Sequence, residues 1–327
     1  MKAVFQYQGL ISEHYKQLLR ENIPEMEFVF LEKSGDDNLI KEIGDADILV
    51  GYSLSAEIMD AAKKLRHIQI PWTGFNRLGK EFLKDRNVTV SNSHANSLAI
   101  AEHALALLTS AAKLITQRDH GMRVNDWSSR YEGVESVWLT GKTTAIIGYG
   151  SIGKRVARMM KAAFDNRIIA MKRTRAEPDG IAEFIGGMDD LEKIIPEADF
   201  ILVATPLTEE TNNLVNETHF KLMKKTAVLV NIARGEVVNE EALYLALKDK
   251  KIHSAGIDTW YNYPRGEVRI VGQNYPFFLL NNIVMTPHSA FKIMEREEVF
   301  LSDIISNLKR VASGEVPINQ VNLKLGY

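Results

Sequence analysis

Two stretches of the chain carry residue types at spacings that imply chemistry on a phosphorylated ligand. The first is Gly148-Tyr149-Gly150-Ser151-Ile152-Gly153, which follows the apolar run TTAII and precedes KRVARMMKAAF, a segment of helical spacing. In a strand-turn-helix setting the first glycine permits a tight turn and the second lets the backbone approach a pyrophosphate. The third lets the helix press on the sheet, while the helix N-terminus offers N–H groups and positive dipole to phosphate. A glycine-rich helix start made only for packing is the plainer alternative, and the flanking strand and helix weigh against it. The second stretch is AMKRTR, residues 170–175, where an apolar run ends in cations. An NAD site presents an acid to the ribose 2'-hydroxyl about 20 residues past the glycines, whereas an NADP site presents cations to the 2'-phosphate. No acid occurs from Arg167 to Arg175, and Lys172, Arg173 and Arg175 can neutralise a dianion. The alternative is a solvated turn. This reading predicts NADP as cofactor, with NAD bound more weakly.

Composition confines the cations to a local role. The chain has 327 residues, 45% hydrophobic and 25% charged, with a net charge of -2, so there is no global basic field for nucleic acid or an anionic membrane. No cysteine is present, which excludes disulfides, thiolate metal sites and a cysteine nucleophile, and no metal site is expected. The N-terminus, MKAVFQYQGL, turns polar too early for a signal peptide, and no uninterrupted apolar segment reaches the ~18 residues of a membrane span. A cytoplasmic protein is expected.

The elements that must position these residues follow from periodicity. Short β-branched runs alternate with longer amphipathic ones, the pattern of parallel sheets covered by helices. Strands are expected near 3–5, 27–31, 47–50, 68–70 and 88–91, forming a first open sheet, with helices such as 12–19 and 55–65 between them. SLAIAEHALALLTSAAK, 97–113, has little polar face and predicts a buried, domain-crossing helix. An irregular stretch from Gly121 then leads into a second α/β series, with strands near 144–147, 167–171, 200–204, 227–232, 255–257 and 283–285. The last amphipathic segment, EREEVFLSDIISNLKRVAS, has no strand after it and is expected to pack back on the first domain.

Six motifs in order resemble the D-isomer-specific 2-hydroxyacid dehydrogenases over nearly the whole chain. They are NSLAIAEHALALL (96–108), LTGKTTAIIGYGSIGKRVA (139–157), TPLTEETNNLVN (205–216), VNIARGEVVNEEAL (230–243), AGIDTW (255–260) and TPHSA (286–290). The resemblance implies an α/β fold of two doubly wound parallel-sheet domains, a flavodoxin-like substrate domain (1–95 plus 291–327) and a Rossmann cofactor domain (96–290), with the active site in the cleft between them. It places the catalytic arginine at Arg234 and the catalytic histidine at His288. A guanidinium fork can hold the carboxylate and carbonyl of a 2-oxo acid in one plane, and an imidazole can exchange the carbonyl proton. His288 also follows a Thr-Pro turn at the end of an apolar strand, where open sheets collect ligands; a capping or packed histidine is the alternative. His103, within the apolar helix, reads as a satisfied core residue, and His94 is left unplaced. The resemblance further implies substrate contacts at Thr73, Gly74, Phe75 and Asn96. It implies cofactor contacts at Thr205, Pro206, Thr211, Ile232, Ala233, Arg234, Asp258 and His288 besides the glycine loop, Lys172 and Arg173. Trp72 could line a pocket or sit in a core, and Asn96 could instead cap the long helix.

One position departs from the pattern. The glutamate that pairs with the histidine in most such enzymes corresponds to Tyr263 in DTWYNYP, and the next acid, Glu267, lies in the long loop YNYPRGEVRIVGQNYPFF. Resemblance to glyoxylate and hydroxypyruvate reductases implies hydride transfer between NADP(H) and a small 2-oxo or 2-hydroxy acid in a homodimer formed through the cofactor domain; segment 123–138, with two tryptophans and a tyrosine, is a candidate for part of that contact. The competing readings are a nucleotide-sensing, corepressor-like interaction protein and a formate-type anion dehydrogenase. The latter is disfavoured by the lack of a long N-terminal extension.

Overall fold

The computed structural model describes residues 1–6, 11–32, 35–74, 78–83, 86–264 and 267–323. The chain divides into two compact units, Met1–Asn96 with Lys292–Tyr327, and Ser97–Phe291.

In the first unit, the strands β1 (Lys2–Phe5), β2 (Glu27–Phe30), β3 (Ile48–Val50), β4 (His67–Gln69) and β5 (Thr89–Ser91) alternate with α1 (Glu13–Asn22), α2 (Asp36–Ile43) and α3 (Ala56–Ala61). Among the described residues they form a five-stranded parallel sheet of order β2-β1-β3-β4-β5, the flavodoxin-like winding. Alternate residues of each strand face opposite sides. Val4, Leu49, Ile68 and Val90 therefore enter a core with α2 and α3, whereas Ala3, Phe5, Ile48 and Val50 enter one with α1.

The second unit opens with α4 (Ser97–Lys113) and α5 (Ile115–Arg123). Then come β6 (Thr143–Ile147), α6 (Ser151–Phe164), β7 (Arg167–Met171), β8 (Phe184–Gly186), α7 (Leu191–Ile194) and β9 (Phe200–Val203). The series closes with α8 (Glu217–Leu222), β10 (Val228–Asn231), α9 (Glu240–Lys248), β11 (Ser254–Ile257) and β12 (Ile283–Met285). Among the described residues the strands make one parallel sheet of order β12-β11-β10-β9-β6-β7-β8. Their apolar runs are buried on both faces, as a sheet covered by helices requires. Ile146, Ile168, Ala170, Phe200 and Leu202 meet α4 and α6, while Ala145, Ile147, Ile169, Ile201 and Val203 meet α7, α8 and α9.

The alanines of α4 let it lie close on β11. A Cβ on Gly256 would stand 2.9 Å from the Leu107 Cβ, and the Ser254 hydroxyl donates to the Ala111 carbonyl at 2.9 Å. The short strand β8 and the helix α5 carry too little period to be read from the sequence. Among the described residues no single helix is long and apolar enough to cross a membrane; α4 and α5 pass that test only as a pair, bent by 66°. The final helix, α10 (Arg296–Ala312), returns to the first unit and packs Phe300, Leu301, Ile304 and Leu308 beside Phe5 and Leu19.

Candidate active site

The glycine loop sits where the strand order of the larger sheet reverses, with β6 between β7 and β9. Open α/β sheets bind ligands at that switch point, beyond the carboxyl ends of the strands. Gly148 turns the chain with φ +104°, and a Cβ there would lie 2.5 Å from the Ala204 carbonyl carbon and the Thr205 nitrogen. Only glycine lets the end of β6 pass the end of β9. At Gly153 a Cβ would lie 2.2 Å from the Gly148 carbonyl oxygen, so this glycine seats the first turn of α6 on the strand. A Cβ on Gly150 meets nothing within 4 Å, which leaves that side of the loop open to an approaching group. The first turn of α6, Ser151 to Lys154, carries no acidic side chain to offset the helix dipole. The Tyr149 ring is turned inward: its hydroxyl donates to Asp179 at 3.2 Å, and burial pushes it up to about 12.

At the end of β7 the three cations separate. Arg175 forks onto Asp190, Nε to Oδ2 at 2.7 Å and Nη2 to Oδ1 at 3.0 Å, and the same buried carboxylate accepts the Gly187 N–H at 2.9 Å. Arg175 is therefore a structural pin of the segment after β7, not a free cation for phosphate. Lys172 follows the strand directly and is half-buried, with its backbone N–H on the Gly186 carbonyl at 3.1 Å. Arg173 meets Glu210 at 3.1 Å in an exposed pair of the kind that contributes little and exchanges readily.

The loops after β9 and β10 are held by their own side chains. Thr211, 5% exposed, donates its hydroxyl to the Pro206 carbonyl at 2.6 Å and accepts the Thr208 N–H at 2.7 Å, which closes the loop that Thr205 and Pro206 begin. After β10, the Asn231 side chain accepts the Ala233 N–H and donates to the Arg234 carbonyl, each at 3.0 Å. Ile232 and Ala233 are buried, and Arg234 is half-buried with Nη1 on the Ala233 carbonyl at 2.6 Å. A Cβ on Gly235 would lie 2.5 Å from the Trp260 carbonyl, so glycine is required for this loop to meet the one after β11.

His288, exposed, stands on the loop after β12 with φ +53°, a left-handed backbone that costs on the order of 1 kcal/mol and needs support from its surroundings. The support is Asp258, 1% exposed, whose carboxylate accepts the Thr286 hydroxyl at 2.6 Å, the Ser289 N–H at 2.9 Å and the Ala290 N–H at 3.3 Å. Burial alone would raise this carboxyl, and the hydrogen bonds from His103, Thr286 and Ser289 hold it below its ordinary value. Asp258, expected at the cofactor, thus spends its side chain on the histidine loop. The Trp260 indole N–H adds a bond to the Thr286 carbonyl at 2.8 Å.

Tyr263 packs its ring against the His288 imidazole, centroids 5.5 Å apart and planes inclined by 55°. Its hydroxyl accepts the Trp260 backbone N–H at 3.0 Å. Burial raises the Tyr263 hydroxyl above its usual value, so this side chain stays neutral, and the Arg234 charge acts on it in the opposite sense. Gln273 clamps the same loop, with Oε1 accepting the Tyr261 and Asn262 N–H groups at 3.2 and 3.1 Å.

In the first unit, Thr73 and Asn96 come together. The Thr73 hydroxyl lies 2.8 Å from Asn96 Oδ1 and 3.0 Å from the Ser93 carbonyl, and Asn92 donates to the Thr73 carbonyl at 2.7 Å. Asp303 on α10 holds the same loop, accepting from the Ser93 hydroxyl at 2.9 Å and from the His94 and Ala95 N–H groups at 2.8 and 3.0 Å. Trp72 is half-buried against Tyr52, with ring centroids 4.9 Å apart. Gly74 follows Thr73, and Phe75 lies outside the described residues.

The family model of the D-isomer specific 2-hydroxyacid dehydrogenase NAD binding domain matches residues 105–290, the part of the chain that carries the glycine loop, Arg234 and His288. The chain belongs to this family. Among curated relatives, a glyoxylate reductase of Pyrococcus furiosus is 35% identical over 298 residues, spanning 88% of this chain and 85% of that protein. A D-3-phosphoglycerate dehydrogenase of Methanocaldococcus jannaschii is 32% identical over 88% of this chain and 54% of that protein. Among solved structures, an acyclic imino acid reductase, Bsp5, in complex with NADPH and D-Arg, matches with a TM-score of 0.82 at 27% identity, covering 98% of this chain and all of that one.

For a 2-hydroxyacid dehydrogenase the groups at the switch point fit a nicotinamide dinucleotide: an open glycine edge, a helix N-terminus without acids, and cations after β7. Several residues of the site escape the motifs. Asp303 and Gln273 act through contacts that nothing in the linear pattern marks, and Trp260, though it ends the AGIDTW motif, is tied to Thr286 only by the fold. His103, read from the sequence as a satisfied core residue, lies 3.1 Å from the Thr286 hydroxyl.

Proposed function

We propose that this 2-hydroxyacid dehydrogenase is an NADP-preferring reductase of a small 2-oxo acid, of the glyoxylate or hydroxypyruvate type. The observation that carries the reading is the gathering of Arg234, His288, the glycine loop and Lys172–Arg173 at the carboxyl edge of one parallel sheet. Gly148–Gly153 would hold the pyrophosphate of NADP(H) and Lys172 and Arg173 its 2'-phosphate, and the cofactor, when bound, would supply the hydride for the carbonyl carbon. Arg234 grips the carboxylate and carbonyl in one plane and polarises the carbonyl, and His288 donates a proton to the carbonyl oxygen or withdraws it in the reverse direction. Thr73 and Gly74 of the first unit are proposed carboxylate contacts, and Asn96 a proposed substrate contact. The relatedness to glyoxylate reductases supports the substrate class.

A second reading is favoured by Tyr263. The ring packed on His288 is a neutral phenol, and hydride addition to an iminium carbon needs no proton delivered to an oxygen. The likeness to an imino acid reductase points the same way. Both readings are tested by one screen: glyoxylate, hydroxypyruvate, pyruvate and larger 2-oxo acids, each with NADPH and NADH, with and without ammonium or methylamine. Turnover without amine supports the reductase, and turnover only with amine supports imine reduction. NADPH binding with no turnover on any substrate would reject both in favour of an interaction protein.

A further inference from the structure

His103 is a titratable side chain that the chemistry above does not use. It lies on α4 with 23% of its side chain exposed, beside the loop that carries His288. Its Nε2 stands 3.1 Å from the Thr286 hydroxyl and 3.5 Å from Asp258 Oδ1. The Thr286 hydroxyl already gives its one proton to Asp258 at 2.6 Å, so the Thr286 oxygen can only accept from His103, which sets the imidazole tautomer with the proton on Nε2. The chain of contacts continues to the histidine. Asp258 also accepts the N–H groups of Ser289 and Ala290, immediately after His288, while the Thr286 carbonyl accepts the His288 N–H at 3.0 Å and the Trp260 indole N–H at 2.8 Å. The left-handed backbone at His288 is thereby held from both sides by groups that converge on Thr286 and Asp258.

We propose that His103 is a positioning residue for His288, acting through Thr286 and Asp258 to keep the imidazole loop of the 286–290 segment in its reactive conformation. The proposal rests on His288 being the proton donor and acceptor of the reaction. Without the His103 N–H, the Thr286 oxygen and the Asp258 carboxylate each lose a donor, and the loop gains freedom to leave the left-handed conformation that no side chain of its own favours. Small displacements of a proton donor are costly in rate, because the reacting atoms must meet within a few tenths of an ångström of the productive geometry.

The test uses the full chain with NADPH in single-turnover experiments, with glyoxylate or whichever substrate the screen identifies. The rate constant for hydride transfer is read separately from the amplitude per NADPH bound. His103→Leu is expected to lower the rate constant by roughly tenfold, a misplacement effect, with the amplitude and NADPH affinity retained. His103→Gln, whose amide can give Thr286 the same N–H, is expected to recover most of that loss. Thr286→Val should slow the wild-type protein to a similar degree and add little to His103→Leu, because the two side chains act through one contact. A lowered amplitude with an unchanged rate constant would mean damage to the fold alone and would overturn the proposal, as would a wild-type rate constant in His103→Leu. His288→Ala separates the two levels of argument. If it retains wild-type turnover, the reading of His288 fails; if it is inactive while His103→Leu is normal, only the role of His103 fails.

Discussion

At the scale of residues, the site rests on a few polar groups whose substitution has a definite sign. Arg234→Lys keeps the charge and removes the planar fork, so the proposed grip on both carboxylate and carbonyl would be reduced to a single point. Loss of one charge-assisted hydrogen bond, about 1.5–3 kcal/mol, corresponds to a fall of about 10- to 100-fold. The fall is expected in both kcat and kcat/KM, measured in the direction of oxo acid reduction; an unchanged kcat would remove Arg234 from the chemistry. Tyr263 sets a second expectation. Burial keeps its hydroxyl protonated, so it contributes no charge to the His288 imidazole packed against it. A carboxylate beside an imidazole favours the cation, the form that the proposed proton donation by His288 needs. Tyr263→Glu should therefore carry the alkaline limb of the kcat/KM profile to higher pH. Superimposable profiles for the two proteins would show that the limiting step draws no proton from this histidine.

At the scale of elements, the carboxyl ends of the strands decide function and the strands themselves decide stability. The segment after β7 is the first case. If Lys172 and Arg173 each make a charge-assisted bond to a 2'-phosphate, about 1.5–3 kcal/mol apiece, NADPH is expected to bind at least about tenfold more tightly than NADH. Fluorescence titration of both cofactors measures this, and Lys172→Asp combined with Arg173→Ala should reverse the order. Arg175, pinned to Asp190, is excluded from that contest by its geometry. The strand β4 offers the second case. His67 is buried with Nδ1 on the Thr89 hydroxyl at 2.8 Å, and burial, partly opposed by hydrogen bonding with Gln69 and Thr89, lowers it from 6.5 to about 4. The unfolded chain then binds the proton more readily than the folded one. The stability this group confers is complete above pH 6.5 and is lost as pH falls toward 4, by up to about 3 kcal/mol. His67→Gln should flatten that part of the dependence of the urea midpoint on pH, and an unaltered slope between pH 6.5 and 4 would place the acid sensitivity elsewhere.

At the scale of the whole molecule, the segment from α5 onward presents Val124, Trp127, Tyr131, Val134 and Trp138 to solvent, with Tyr131 77% exposed. Apolar groups gathered in this way mark a surface that another body covers. We expect a homodimer in sedimentation, and Trp127→Asp with Tyr131→Asp should shift it to monomer; a wild-type monomer at micromolar concentration would reject this expectation. The two α/β series, the glycine loop and the cations after β7 were legible in the sequence because each depends on local rules: a period of two or 3.6, a turn that only glycine allows, and charge counted along a few residues. Tertiary structure alone determined which of those charges remain available and what supports the reactive groups. Arg175 and Lys172 are near neighbours in AMKRTR, yet the fold spends one on Asp190 and leaves the other at the strand end. Thr211 and Asp258 look like ligand contacts in their motifs, and their partners turn out to be Pro206 in one case and the 286–290 loop in the other. Hydrogen bonds of this kind join residues brought together only by the packing of strands and helices. His103 and Thr286 are 183 positions apart, a distance over which no local pattern carries information about a contact.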